Sequence, residues 1–319
     1  MIKGRIKGLG RLVLVAMGLG YDFWRFFRWG GWRSPVTDDR KRAYEIARAS
    51  HSVEKGLAFL NRDPARGGAS VAYLTSLAAM SEHRGVHGFE EEVASHVLQA
   101  RERDSRADED PDLSAPQTGD LTCRTGGAVG GAEWLSADFF REGLADDPES
   151  FFLTRRTVRE MAEDRVAAST IERAVELAMN SPSSCNRQPW RVYHITDAHV
   201  IAEVLVHQSG NRGFGHTLQD LLVVGIDQTA FVSGNERYQH WIEGGLFTMT
   251  LIWAFHSLGC VTCALNWSVP PAKDLALRRT LPVRDDDAVI VLLGVGYARN
   301  RNRVPVSARR GLDQVLIGV

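Results

Sequence analysis

The residues of this sequence best suited to chemistry are amides, hydroxyls and guanidiniums gathered in two short stretches. The first is SPSSCNRQPW, residues 181–190. Asn186 and Gln188 each carry a donor and an acceptor on one amide. That pattern can read a flat heterocycle whose edge alternates C=O and N–H, as an isoalloxazine does. Pro182 fixes φ, and Ser183 and Ser184 can satisfy their own backbone, so the stretch reads as a turn. Pro189-Trp190 closes it and opens a strand, WRVYHI (190–195). Taken alone, the same residues also read as a polar loop capped by a packed Trp.

The second stretch is FFLTRRTVREM, residues 151–161. Arg155, Thr157 and Arg159 alternate, with Arg156 between the first two. A guanidinium presents a planar fork of donors that matches phosphate oxygens, so the cluster suits a phosphate clamp. A solvated basic turn is the alternative.

Other chemistries find less support. The sequence offers no Ser-His-Asp or Cys-His arrangement. Cys260 and Cys263 form a Cys-x-x-Cys, but they follow a helical pattern instead of preceding one, so buried structural thiols are expected. Gly126, Gly127, Gly130 and Gly131 lack the preceding strand and the spacing of a dinucleotide fingerprint. His51 and Glu54 lie three apart on one helical face, where a metal or acid-base pair is conceivable and a surface pair is the commoner outcome.

The two stretches together resemble the nitroreductase-like flavoproteins. SPSSCNRQPW is similar to that family's proline-serine-serine-x-asparagine-x-glutamine-proline-tryptophan signature. The Arg155–Arg159 run is similar to its opening Arg-x-Ser-x-(Arg/Lys) element, with Thr157 keeping the hydroxyl. The long apolar helix expected over 235–259 resembles the family's dimer-forming helix, and CVTCALNW (260–267) the segment passing the flavin. Arg309-Arg310-Gly311-Leu312 resembles the closing basic element, with Gly in place of Pro. The resemblance implies FMN, with NAD(P)H as hydride donor and a second small-molecule substrate. It implies that Arg155, Arg156, Thr157, Arg159 and Arg309 (or Arg310) hold the phosphate end. It also implies that Pro182, Ser183, Ser184, Asn186, Gln188, Ala264, Leu265 and Asn266 border the ring, and that Trp267 narrows the pocket. The implied fold is α+β: a mixed, mainly antiparallel sheet flanked by helices, in an intertwined homodimer. HSVEKGL (51–57) is similar to an element found ahead of some such domains, often encoded with polysaccharide-biosynthesis enzymes.

The elements that must position these residues are legible as periodicities. Apolar runs LLVVGID (221–227) and AVIVLLGVGY (288–297) suit strands covered on both faces, and AASTIERAVELAMN (167–180) has helical spacing. Residues 38–102 read as amphipathic helices, with a helix pair over DDRKRAYEIARASHSVEKGLAFL (38–60). The chain thus divides into a helical region 1–104, a partly flexible linker 105–150 and the FMN-binding domain 151–319. Net charge is −1 over 319 residues, which gives no global pull towards nucleic acid. Four cysteines do not make a secreted disulfide scaffold, so a cytoplasmic location is expected. Residues 1–33 combine basic residues, a short apolar run and YDFWRFFRWGGWR. They carry the outline of a signal peptide without a cleavage site, or an interfacial helix making peripheral membrane contact; the preferred reading is a segment packing on the later domain.

Overall fold

The computed structural model describes residues 2–57, 67–107, 130–132, 147–302, 304 and 311–319, with the side chains of 2–12, 15 and 105–107 left aside. Arg309, Arg310 and Cys123 lie outside the described residues, as does most of the 105–150 linker.

The C-terminal half is built on a sheet in the order β1-β2-β4-β3, with every neighbouring pair antiparallel. The strands are β1 (Trp190–Ile195), β2 (Asp220–Asp227), β3 (Val261–Asn266) and β4 (Asp287–Gly296). A parallel bridge, Thr157 to Thr262, adds the mixed character at the β3 edge. The continuous apolar runs form the two central strands, as a sheet covered on both faces requires. Side chains alternate about the pleat. Leu221, Val223 and Leu292 join one core with Ile201, Val204 and Leu277, and Leu222, Val224 and Leu293 join the other with Ile171, Phe247 and Phe255.

Before the sheet come α1 (Ile2–Trp29), α2 (Asp39–Leu57), α3 (Gly68–His83), α4 (Phe89–Ala107), α5 (Pro148–Thr154) and α6 (Ala168–Ala178). Within it are α7 (Ala198–His207), α8 (Gln239–Ser257) and α9 (Pro271–Thr280). Their ends follow local chemistry. Asp147 caps α5 by accepting the Ser150 N–H, and Asp197 caps α7 by accepting those of His199 and Val200. Gly259, at φ 76°, ends α8 in the left-handed conformation that glycine adopts without strain. The helix pair expected over 38–60 is instead one unbroken helix through Leu57, because no Gly or Pro interrupts its apolar spacing before Gly56.

Helices α2, α3 and α4 share their own core, centred on Ile46, Leu74, Leu77 and Val97. That layer is tied to the sheet by charge. Arg40 donates to Asp227 at 2.6 Å and to Asp286 at 2.5 Å, and the Tyr44 hydroxyl donates to Asp227 at 2.9 Å. Arg191 on β1 donates to Asp227 at 2.7 Å and to Asp287 at 3.0 Å. The acidic trio Asp227, Asp286 and Asp287 is therefore neutralised by guanidiniums from two layers. The turn after α1 seats directly on the sheet's end: a Cβ on Gly31 would stand 1.9 Å from the Thr229 carbonyl oxygen.

Candidate functional site

The 181–190 loop is held from below by a buried acid. Glu243, on the first turns of α8 and without exposed surface, accepts the Ser184 N–H at 3.0 Å and the Ser183 hydroxyl at 3.0 Å. Gln239 donates to the same carboxylate at 3.2 Å. Burial raises the pKa of Glu243, and the hydrogen bonds from Ser184, Ser183 and Gln239 oppose that rise. Ser183 also accepts the Gln188 N–H at 2.9 Å, which closes the loop on itself. Arg187 supplies the other anchor: it is 3% exposed, pairs with Glu236 at 2.5 Å and donates to the Ala230 carbonyl at 2.8 Å.

This double anchoring sustains an unusual backbone. Cys185, Asn186 and Gln188 have φ of 53°, 52° and 49°, and they are the described non-glycine residues with positive φ. A left-handed β-carbon-bearing residue costs of order 1 kcal/mol or more, and such residues cluster where a loop presents groups to a ligand. Asn186 is exposed, Gln188 half-buried and Pro182 exposed. The hydroxyl proton of Ser183 points inward to Glu243.

The basic stretch lies elsewhere. Val158 donates its N–H to the Thr262 carbonyl at 3.2 Å, so residues 155–159 run beside β3. Ala264 and Asn266 are exposed on that strand while Leu265 points into the core, as alternation dictates. Among the described residues, Arg155, Arg156 and Arg159 make no carboxylate ion pair. Arg155 stands 5.8 Å over the Trp253 ring, near the far end of α8. The structure thus joins Arg155, Arg156, Thr157, Arg159, Ala264 and Asn266 at one sheet edge, and Pro182 to Gln188 at the other. Trp267 does not border either group: it is buried, with its indole N–H donated to Asp274 at 2.8 Å. Cys260 and Cys263 are both buried, and burial pushes the Cys260 thiol up to about 11, so neither is poised as a nucleophile.

A cavity of 910 Å³ opens beside the strained loop, between α2 and α4 on one side and α6 and β1 on the other. Asn186 and Gln188 line it, with Trp190 and Phe247 as apolar wall and Glu54 and Glu90 from the helical layer. Burial raises the pKa of both glutamates. Glu54 accepts the Gly131 N–H at 3.0 Å, so the HSVEKGL helix pins the returning chain at this cavity instead of forming a pair with His51 alone.

Sequence reasoning missed Glu243 and Arg187 as the loop's supports. The available signal for Glu243 was a lone carboxylate near the start of an otherwise largely apolar helix, one turn after Gln239. For Arg187 it was a cation within a stretch otherwise composed of neutral turn residues.

Comparison with known proteins bears on the same segments. A curated Archaeoglobus fulgidus protein, provisionally named NADH dehydrogenase/NAD(P)H nitroreductase, is 25% identical over 151 residues, covering 46% of this chain and 83% of its own. Among solved structures, a nitroreductase-like protein from Streptococcus mutans aligns at 17% identity and a TM-score of 0.48, covering 55% of this chain and 100% of that one. An FMN-dependent nitroreductase from Clostridium difficile aligns at 18% identity and a TM-score of 0.42, covering 50% and 91%. The model of the nitroreductase family matches residues 153–211, the span that contains both the Arg155–Arg159 run and the Ser183–Gln188 loop. The C-terminal region of this chain is nitroreductase-like, with a helical region preceding it.

Proposed function

We propose that the chain is an FMN-dependent oxidoreductase, using NAD(P)H and a second small molecule alternately in one pocket. The observation that carries this reading is the donor set: three guanidiniums, on residues 155, 156 and 159, without carboxylate partners among the described residues. Such a cluster costs electrostatic energy unless an anion meets it, and a phosphate group is the anion whose geometry the guanidinium fork fits. The donor set therefore fits the phosphate end of FMN, and the exposed amide of Asn186 fits a ring edge of alternating carbonyl and N–H groups. Bound FMN supplies the redox chemistry, hydride transfer at N5. The chain's part is to neutralise phosphate, to present preorganised donors from the Glu243-held loop, and to exclude water with the apolar wall of Trp190 and Phe247. Residues 151–319 form the FMN-binding unit in this reading, 1–104 a helical region and 105–150 the connection.

The active form is a homodimer with shared sites. The loop and the Arg155–Arg159 run lie at opposite edges of the sheet: from β1 to the bridge outside β3 is four strand spacings, about 19 Å. They also lie near opposite ends of α8: Glu243 and Trp253 are ten residues apart, about 15 Å of helix. The outer face of α8 leaves Trp241, Ile242, Leu246 and Met249 exposed. A two-fold pairing of that face places two α8 helices antiparallel, which brings the loop end of one beside the Arg155 end of the other. Burying an apolar stripe of this kind stabilises a dimer by roughly 1.5–3 kcal/mol per large side chain fully covered.

Anaerobic stopped-flow of the FMN-loaded protein tests the reading. Bleaching of the flavin absorbance by NADH or NADPH is expected, followed by recovery when a nitroaromatic or quinone is added. Protein that cannot be loaded with FMN would sink it. Loaded protein that neither nicotinamide bleaches would shift the donor to a biosynthetic intermediate.

A further inference from the structure

Helix α1 is mounted on the body by its polar side. The Tyr21 hydroxyl donates to Asp274 at 2.7 Å, and Arg25, only 6% exposed, donates to the carbonyls of Asp285 and Asp287 at 2.7 Å each. Phe26 stacks on His240 beside them. The opposite side is apolar and open. Val13, Met17, Trp24 and Phe27, with Gly20 between, recur at spacings of four and three and form one stripe along the helix. Leu19 and Phe23 flank it at 66% and 69% exposed, and Leu14 is 59% exposed. An ordinary surface helix turns its apolar stripe to the core and its charges to water. Here the arrangement is reversed over the described part of the helix.

The composition of the segment that carries this face points to its occupant. Residues 1–33 hold seven Lys and Arg residues and one acid, Asp22. At the end of the stripe, the Arg28 guanidinium lies 4.2 Å over the Trp29 ring and that of Arg33 lies 4.6 Å over Phe27. Cations beside aromatic rings at the border of an apolar face suit the boundary between phosphate headgroups and acyl chains. No described helix is long and apolar enough to cross a membrane, so the helix suits the plane of the surface and not its normal. A second copy of the chain would bring like charge against like charge, whereas an anionic surface meets both the apolar stripe and the basic excess.

We propose that the outward face of α1 is the docking surface of this protein for an anionic phospholipid membrane. Tyr21 and Arg25 hold the body on the helix side away from the lipid, so the C-terminal half rides above the headgroups. This inference is independent of the redox reading. The test is flotation of the full chain with vesicles of phosphatidylcholine mixed with phosphatidylglycerol, compared with phosphatidylcholine alone. Flotation with the anionic vesicles is expected, reduced at least tenfold by pure phosphatidylcholine, by high salt, or by Leu19→Ser/Phe23→Ser/Phe27→Ser. The variant's circular dichroism and flavin content should equal the wild type's, because all three side chains are exposed. Absence of flotation by the wild type would overturn the proposal, as would equal flotation of the variant. A wild type that stays in solution, with a mass by light scattering that falls in the variant, would give the face to a second copy instead.

Discussion

Glu243 accepts the backbone N–H of Ser184 at 3.0 Å from a position without solvent exposure, so an acid buried on α8 sets the conformation of the exposed loop. The prediction is that Glu243→Ala leaves the half-buried Ser184 N–H without its acceptor and costs about 1–3 kcal/mol of stability. Glu243→Gln keeps one acceptor and should cost less. Urea denaturation ranks the two variants, and FMN titration should show the alanine variant binding more weakly, since the left-handed Cys185, Asn186 and Gln188 lose their support. Equal stability of both variants and the wild type would remove Glu243 from this role.

Arg155→Ala and Arg159→Ala should each weaken FMN binding by ~1–3 kcal/mol, the scale of a hydrogen bond to a charged group. Among the described residues neither side chain has an ionic partner, so global stability should stay near that of the wild type. Flavin fluorescence against protein concentration reads the affinity. A residue whose replacement leaves the titration unchanged does not touch the phosphate.

Complementation tests the shared site. A chain carrying Arg155→Ala/Arg159→Ala, mixed with one carrying Asn186→Ala, should recover one intact site per heterodimer after subunit exchange. The expected titration endpoint lies between those of the two parent variants and the wild type. A monomer that binds FMN with full affinity at nanomolar protein would exclude sharing.

His240 makes stability depend on pH. It is 3% exposed between Phe26, Phe231 and Trp241, and burial, with Arg25 adding to it, lowers its pKa to about 4. The unfolded chain takes up a proton near pH 6.5 while the folded chain resists until about pH 4. Folding stability from this residue is therefore complete above pH 6.5 and is lost as pH falls to 4, on the order of 3 kcal/mol. His240→Phe should flatten the profile in that window. An unaltered slope in urea melts between pH 7 and pH 4.5 would show that other groups carry it.

The strands were legible because their chemistry is local: LLVVGID and AVIVLLGVGY can only be covered on both faces, and they form the two central strands. Helix α6 followed from the apolar spacing of AASTIERAVELAMN for the same reason. What stayed hidden depends on groups distant in sequence. Nothing near Trp267 indicates that Asp274 receives its indole N–H, so an expected pocket residue proves to be a core residue. Nothing in SPSSCNRQPW names Glu243, sixty positions on. Which sheet edge each half of the candidate site occupies also depends on strand order, and periodicity alone does not encode strand order.

The guanidiniums of Arg40 and Arg191 converge on one carboxylate, Asp227, from separate layers of the molecule. That sharing limits how the chain can be cut. A fragment beginning near residue 151 would retain the span that matches the family, yet Asp227 would keep Arg191 and lose both Arg40 and the Tyr44 hydroxyl. Asp286 would depend on Arg284 alone. The C-terminal sheet thus borrows part of its countercharge, and a variant without the helical layer would need new partners for Asp227 at the end of β2 and for Asp286 just before β4.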